Sequence, residues 1–385
     1  MKLLMITGLG SAKDLASGKK GAFYNTLEEF SKHWDRIDII CPHIDNCKID
    51  NSLKIKNCKL KIFDNVFVHS SPWPLIFHPF WFLKKGVEIY KEQKFDLMTV
   101  HEFPPFYNGI GARLLWQRIR VPYVLEIFHI PGYPKPSGAK ESIYKQATNF
   151  FIGYDAAKAR AVRVMNGEVG NFLEKKGVPR SKIKLIPAVY VDLEIFRPLN
   201  INKEYDLIFI GRLESNKGVG LLLEAVRNIR HQIPNIKCLI VGDGSLGNDI
   251  KLKIENWKLQ NNVILYGWAE DSLEISQLIN KSKILVMPSY NEGGPRVVVE
   301  AMACGVPVLA TPVGIVPDLL KNGQGGEIIA WDADDIARRV SKLLEDHAGY
   351  QKYSHSGLEI ARKFNRKTAI KNYAEQLKRI IQINE

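Results

Sequence analysis

The sequence predicts an α/β protein with two doubly wound parallel sheets. Three observations carry that prediction. Short apolar runs alternate with segments of helical period. The series of runs begins twice, once at Leu3–Thr7 and again at Leu207–Ile210. Several runs end in glycine-bearing loops, where open parallel sheets bind ligands.

The first run, Leu3–Thr7, is too short for the apolar region of a secretory signal and reads as a strand. Phe23, Leu27, Phe30 and Trp34 then fall on one stripe of a helix. Further strands are predicted at Ile37–Cys41, Val66–Val68, Leu97–Val100, Tyr123–Phe128, Ala161–Val164 and Ile183–Ile186. Pro187 and Pro198 bracket a connecting segment, which divides the chain into domains at 1–190 and 191–365. The second series continues at Leu239–Val241, Val263–Leu265, Ile284–Met287 and Val306–Ala310. Leu221, Leu222, Ala225, Val226, Ile229 and Ile233 give its first helix an apolar face, with Pro234 as the stop. Ile370, Tyr373, Ala374, Leu377, Ile380 and Ile381 stripe a last helix that begins near Arg366, and it can pack on either half.

The length of 385 residues suits two to three domains at roughly 150 residues each. With 45% apolar and 25% charged residues, the composition excludes wholesale disorder and fibrous repeats. No apolar run approaches the ~20 residues of a membrane-spanning helix. Cys41, Cys47, Cys58, Cys238 and Cys304 are odd in number and lack CxxC spacing, so neither a disulfide framework nor a zinc site is expected, and a reducing cytosol fits. The net charge of +13 admits nucleic acid, an anionic membrane face or phosphorylated substrates, or only a lysine-rich solvated surface. On charge alone the last is preferred. No nucleic-acid recognition motif or long basic stripe is present, so nucleic acid is not an expected partner.

The strand-end loops hold the chemistry. Gly8, Gly10, Gly18 and Gly21 follow the first strand, and Gly211-Arg212-Leu213-Glu214-Ser215-Asn216-Lys217-Gly218 follows the strand at Leu207–Ile210. Gly242-Asp243-Gly244 follows Leu239–Val241, and Pro288 to Pro295, with Glu292, Gly293 and Gly294, follows Ile284–Met287. Glycines and the first N–H groups of a helix suit an anion, although a turn glycine explains Gly8, Gly10 and Gly242 equally well. A P-loop and a GxGxxG dinucleotide fingerprint are both absent. Pro295 fits the first position of a helix. Glu300 then lies just over one turn inside it, with its carboxylate leaning back toward the same loop. Arg212 and Lys217 add positive charge. The set predicts a ligand with phosphates and a polyhydroxylated part.

These residues resemble family-4 retaining glycosyltransferases of GT-B fold. The resemblance rests on Glu292-x7-Glu300 with Ala301-Met302-Ala303-Cys304-Gly305-Val306-Pro307-Val308. It is supported by Gly211-Arg212-Leu213 with Lys217-Gly218, and by Val191-Asp192 with Phe196-Arg197-Pro198. It is specific over 187–345 and architectural over 1–186. Val189-Tyr190 stand where the family usually has Asn-Gly. The resemblance implies two Rossmann-like domains facing across a cleft, with the last helix, about 366–385, returning to the first. It implies Arg212 and Lys217 on a donor diphosphate, Glu292 on the donor sugar and Glu300 on ribose. Gly293 and Gly294 would offer N–H groups, Gly21 would lie near the phosphates, and His129 would stand beside the transferred sugar. His101 is a second histidine candidate.

A nucleotide diphosphate-sugar is thus the expected substrate, with no cofactor and no metal, because a metal-binding DxD pair is not seen at any strand end. The acceptor is expected to be a glycan or a lipid-linked molecule of surface glycan or glycolipid synthesis. Pro131 to Pro136 reads as a loop over the cleft. Trp73, Phe77, Phe80, Trp81, Phe82, Lys84 and Lys85 form an aromatic and basic cluster. That cluster fits either a core helix or attachment to an anionic membrane surface from the cytoplasmic side. A GT-B epimerase and a basic nucleic-acid-binding protein are the alternative functions.

Overall fold

The computed structural model describes residues 1–8, 15, 22–42, 59–104 and 106–382. The chain divides into two compact units. One comprises Met1–Ile130, Ile143–Ala188 and Lys367–Glu385, and the other Pro131–Ser142 and Val189–Arg366. The second unit therefore takes a twelve-residue segment out of the middle of the first half of the chain.

In the first unit, β1 (Lys2–Ile6), β2 (Arg36–Cys41), β3 (Lys59–Ile62), β4 (Val66–Ser70), β5 (Leu97–His101), β6 (Tyr123–Ile127), β7 (Ala161–Val164) and β8 (Ile183–Leu185) form one sheet. Its order is β3-β4-β2-β1-β5-β6-β7-β8. Only β3 runs antiparallel to its neighbour. The strands are nearly continuous apolar runs because helices cover both faces of a parallel sheet. Among the charged residues of these strands, Asp38 in β2, Glu126 in β6 and Arg163 in β7 are buried.

In the second unit, β9 (Tyr205–Ile210), β10 (Cys238–Val241), β11 (Val263–Gly267), β12 (Ser282–Met287), β13 (Val308–Ala310) and β14 (Gly326–Ile328) are all parallel. Their order is β11-β10-β9-β12-β13-β14, the dinucleotide-binding order. The alternation of β9 feeds two layers. Ile208 packs with Val298, Val299 and Met302 of helix Arg296–Ala303. Leu207 and Phe209 pack with Leu222, Leu223 and Val226 of helix Val219–Ile229.

The differences from the sequence expectations are local. The helix through Phe23 is Ala22–Phe30, continued by a 3₁₀ turn at Ser31–His33, and Trp34 is already extended. Helix Val219–Ile229 ends well before Pro234, where the Arg230 guanidinium donates to the carbonyls of Trp257 and Lys258. Pro295 is the residue before helix Arg296–Ala303 rather than its first member. Strands β3 and β14 were not foreseen, being edge strands of four and three residues. Cys41, Cys238 and Cys304 are buried thiols outside any disulfide, whereas Cys47 and Cys58 lie outside the described residues.

The loops beyond β9, β10, β12 and β13 lock together backbone to backbone. Gly218 has φ 68° and Gly242 φ 135°. A Cβ on Gly218 would strike the carbonyl of Pro288, and one on Gly242 that of Gly211. One on Gly244 would sit 2.7 Å from the Leu213 backbone. These glycines are demanded by loop-on-loop approach, which goes beyond an ordinary turn.

Gly218→Ala is therefore expected to cost at least about 2 kcal/mol, through strained φ and a backbone clash. Gly153, in helix Ala139–Ala157 with open space where a Cβ would go, should behave oppositely. Gly153→Ala is expected to gain roughly 0.5–1 kcal/mol. Urea unfolding of the two variants checks both signs.

Candidate active site

The strand order of the second unit reverses between β9 and β12. Open α/β sheets place ligands at such a switch point, beyond the carboxyl ends of the strands. The loops leaving these two strands are Gly211–Gly218 and Pro288–Pro295, and they are tied where the Tyr290 N–H donates to the Asn216 carbonyl at 2.8 Å. Between them lies a cavity of about 260 Å³ lined by Lys217, Ser289, Glu292, Gly294, Pro295 and Arg296, among others. The structure thus brings Lys217, Glu292 and Gly294 into one site.

Inside it the Lys217 ammonium forms an ion pair with Glu292 Oε1. The Ser289 hydroxyl donates to the same oxygen at 3.1 Å. Sequence reasoning assigned these two charges to different parts of a ligand and did not foresee the pair. Gly293 supplies the carbonyl against which Gly314, at φ 57°, packs so closely that a Cβ would clash. Arg212 is exposed on the Gly211 loop and does not line this cavity.

Glu300 lies one turn beyond Arg296 on the same face of helix Arg296–Ala303. It keeps some solvent-accessible surface. Burial nevertheless pushes its carboxyl up to about 7, against the pull of Arg296. The Arg296 guanidinium stacks 4.0 Å from the ring centre of Tyr190.

A second cavity, about 430 Å³, opens at the start of helix Val219–Ile229, lined by Lys135, Ser137, Ser215, Gly218, Gly220 and Tyr290, among others. The residue before that helix is Gly218, which has no side chain to cap the first N–H groups. The segment from Pro131 to Ser142 forms part of this wall. Asn291 Nδ2 donates to Glu141 Oε2 at 2.9 Å, and the Ser137 N–H donates to the same oxygen at 2.7 Å. Lys135 Nζ lies 5.5 Å from the Tyr290 ring centre and 5.2 Å from that of Trp331. Trp331 in turn donates to the Ser289 carbonyl at 2.9 Å. Sequence reading missed Lys135 and Asn291, because nothing in their local pattern ties two segments 150 residues apart.

In the first unit, His129 is exposed, two residues beyond β6. His101, at the end of β5, is buried, with Nε2 2.8 Å from Glu126 Oε2. Glu126 Oε1 also receives Arg163 Nη1 at 2.7 Å and the Tyr373 hydroxyl at 2.6 Å. Burial opposes ionisation of Glu126. Arg163 first, then His101 and Tyr373, overcome it and hold the carboxyl at about 2. The Arg163 guanidinium stacks 3.6 Å from the Tyr373 ring centre and donates to the Ile186 carbonyl at 2.9 Å. Tyr373 comes from helix Arg366–Gln382, and its ring also stacks on Phe30 at 4.8 Å. The missed signal was in plain view, one acid and one base each set inside an apolar strand. Gly21 lies outside the described residues.

Residues 191–363 match the family model described as glycosyl transferases group 1. The chain is 28% identical over 289 residues to the UDP-Gal:alpha-D-GlcNAc-diphosphoundecaprenol alpha-1,3-galactosyltransferase of Escherichia coli, covering 69% of this chain and 71% of the relative. The sucrose-phosphate synthase structure from Thermosynechococcus elongatus superposes with a TM-score of 0.81 at 17% identity, over 99% of both chains. Anabaena HepE in complex with UDP-glucose superposes with a TM-score of 0.74 at 18% identity, over 98% of this chain and 99% of that one. The fold is GT-B, with two parallel-sheet α/β domains, and the sequence relatives are glycosyltransferases. They do not favour the epimerase alternative.

The depressed carboxyl of Glu126 has a pH signature. Its ionised form is stabilised on folding, so its contribution is full above the ordinary carboxylate pKa of about 4.3 and is lost as pH falls toward 2. Glu126→Gln should lower stability at pH 7 by about 3–5 kcal/mol, because Arg163 is left buried without its partner. It should also flatten the acid limb between pH 5 and 2. Chemical denaturation across that range reads both effects.

Proposed function

We propose that this chain is a retaining glycosyltransferase that moves a sugar from a uridine diphosphate-sugar to an acceptor hydroxyl, without a metal. The observation that carries the reading is the switch-point site, where Lys217 and Arg296, the Glu292 carboxylate and glycine-bearing backbone meet beyond β9 and β12. The similar HepE structure holds UDP-glucose, and the Escherichia coli relative is named for UDP-Gal, which supports the choice of nucleotide.

In this reading the second unit is the donor domain and the first the acceptor domain. The bond from the sugar's anomeric carbon to the diphosphate breaks, and the acceptor oxygen bonds to that carbon on the same face. The acceptor proton and the nucleoside diphosphate depart. The main task is to stabilise negative charge growing on the leaving diphosphate. Arg212, Lys217 and the uncapped start of helix Val219–Ile229 meet it. Gly293 and Gly294 add N–H groups. Glu292 holds the sugar hydroxyls and Glu300 the ribose hydroxyls. His129 stabilises the reacting sugar.

The acceptor is a lipid-linked or surface glycan. The diphosphoundecaprenol-linked acceptor named for the Escherichia coli relative supports that class. Such an acceptor places the protein at the inner face of a membrane, as a peripheral protein. No helix among the described residues is long and apolar enough to cross one.

The Lys217–Glu292 ion pair sharpens the division of labour. An incoming diphosphate must take Lys217 from Glu292. Glu292→Gln is thus expected to leave affinity for free UDP equal or higher, while sugar transfer falls. Glu300→Gln should weaken UDP and UDP-sugar alike by roughly 1.5–3 kcal/mol, the worth of a charge-assisted hydrogen bond. The ribose hydroxyls donate to ionised Glu300, whose carboxyl titrates at about 7. UDP affinity should therefore rise up to about tenfold from pH 6 to 8, and Glu300→Gln should flatten the rise. Calorimetry on both variants checks these outcomes.

A nucleotide-sugar screen by thermal stabilisation, followed by product analysis, tests the reaction itself. UDP-sugars should raise the melting temperature, the product should keep the anomeric configuration, and EDTA should leave turnover unchanged. His129→Ala should lower turnover far more than donor binding. Inversion at the anomeric carbon, or activity that EDTA abolishes and Mg²⁺ restores, would refute the mechanism.

A further inference from the structure

We propose that the cavity at the end of β4 is a headgroup site that holds a phosphate-bearing lipid of an anionic membrane. This deepens the peripheral-membrane part of the reading above and rests on it. Strand β4 is parallel to β2, so its carboxyl end lies on the ligand-binding side of the sheet. It ends in His69 and Ser70, and there a cavity of about 440 Å³ is lined by these two together with Trp81, Lys84, Lys85 and Glu88.

Helix His78–Gln93 has two working faces. Phe82, Gly86 and Ile89 are buried, with Gly86 lying so near Leu115 that a Cβ would clash. Trp81, Lys84, Lys85 and Glu88 fall at i, i+3, i+4 and i+7, and this is the face turned to the cavity.

The charges at the cavity favour an anion. Lys85 pairs with Glu88 at 2.5 Å, and Lys84 is exposed with Nζ 5.8 Å from the Trp73 ring centre. His69 is buried, with Nε2 2.7 Å from Asp38 Oδ1, and Arg36 Nε and Nη2 donate to the same carboxylate at 2.8 and 3.1 Å. Asp38 therefore fixes the imidazole and spends its own charge on Arg36 and His69. At the cavity two lysines then face one carboxylate, Glu88.

What surrounds the cavity decides which anion. Between Trp73 and Trp81 the chain presents Ile76 at 66%, Phe77 at 52% and Phe80 at 59% exposure. A soluble phosphate compound would fill the cavity and leave these side chains in water. A bilayer interface accepts both, with the aromatic and aliphatic groups among the acyl chains and the lysines at the phosphates. The sequence left this segment open between a core helix and a membrane contact. The structure divides it, with Trp81 and Phe82 buried and Phe77 and Phe80 exposed.

Vesicle sedimentation of the full chain tests the proposal. Phosphatidylcholine vesicles alone are compared with vesicles carrying phosphatidic acid or phosphatidylserine at equal surface charge. Binding is expected in the order phosphatidic acid, phosphatidylserine, phosphatidylcholine. Lys84→Gln with Lys85→Gln should lower binding to phosphatidic acid about tenfold or more and erase its advantage. Ile76→Ser with Phe77→Ser should weaken binding to both anionic vesicles. Both pairs should keep the wild-type thermal stabilisation by UDP, which also shows that they are folded. Equal partitioning to all three vesicles would overturn the proposal, as would unchanged binding by the lysine variants. Inorganic phosphate binding in calorimetry with no vesicle binding would make the cavity a site for soluble anions and overturn the lipid assignment. Loss of vesicle binding with UDP still bound would reject this inference alone, and bound vesicles without UDP binding would reject the transferase reading instead.

Discussion

The second unit depends on backbone meeting backbone. Gly218 lies under the Pro288 carbonyl, Gly242 under that of Gly211, and Gly314 under that of Gly293. Loops this close have no room to shift separately, so Lys217 and Glu292 are held by main chain more than by side-chain packing. That arrangement suits a site that must meet a charged ligand with little reorganisation. It also explains why the glycines cluster after β9, β10, β12 and β13, the four strands around the reversal of sheet order.

The first unit solves a different problem with charge. Glu126 is wholly buried, and a lone carboxylate there would be prohibitively costly. Arg163, Tyr373 and His101 compensate it, and through them β5, β6, β7 and the last helix share one anion. Arg163 also reaches the Ile186 carbonyl at the start of the connecting segment. Apolar packing alone would let a helix slide along a sheet. A buried tyrosine hydroxyl on a carboxylate fixes where helix Arg366–Gln382 must lie.

The sequence was most legible where physics acts locally. Parallel strands buried on both faces read as apolar runs, and Ala161–Val164 was recovered to the residue. The loop from Pro288 to Pro295 and the helix after it were legible because helix-start signals and glycine chemistry act over a few residues. Edge strands such as Lys59–Ile62 were not, since a short strand with one neighbour carries little periodic signal. Long-range pairs were invisible for the same reason. Glu126 with Tyr373, or Glu141 with Asn291, joins residues whose proximity is created only by the finished fold.

The two units are interleaved along the chain. It passes from one to the other at 130/131, 142/143, 188/189 and 366/367. No single cut can therefore separate them. A piece ending at Ala188 would keep Glu126 and Arg163 but lose Tyr373, and a piece from Val189 to Arg366 would lose Lys135 and Glu141 from the wall beside Tyr290 and Asn291. During synthesis on the ribosome the first unit must wait for Tyr373 before its buried anion is fully paired. The second unit must hold open a place for a segment made some fifty residues before its own main body begins. Grafting one unit onto another protein, or exchanging it between relatives, would have to carry these discontinuous pieces along.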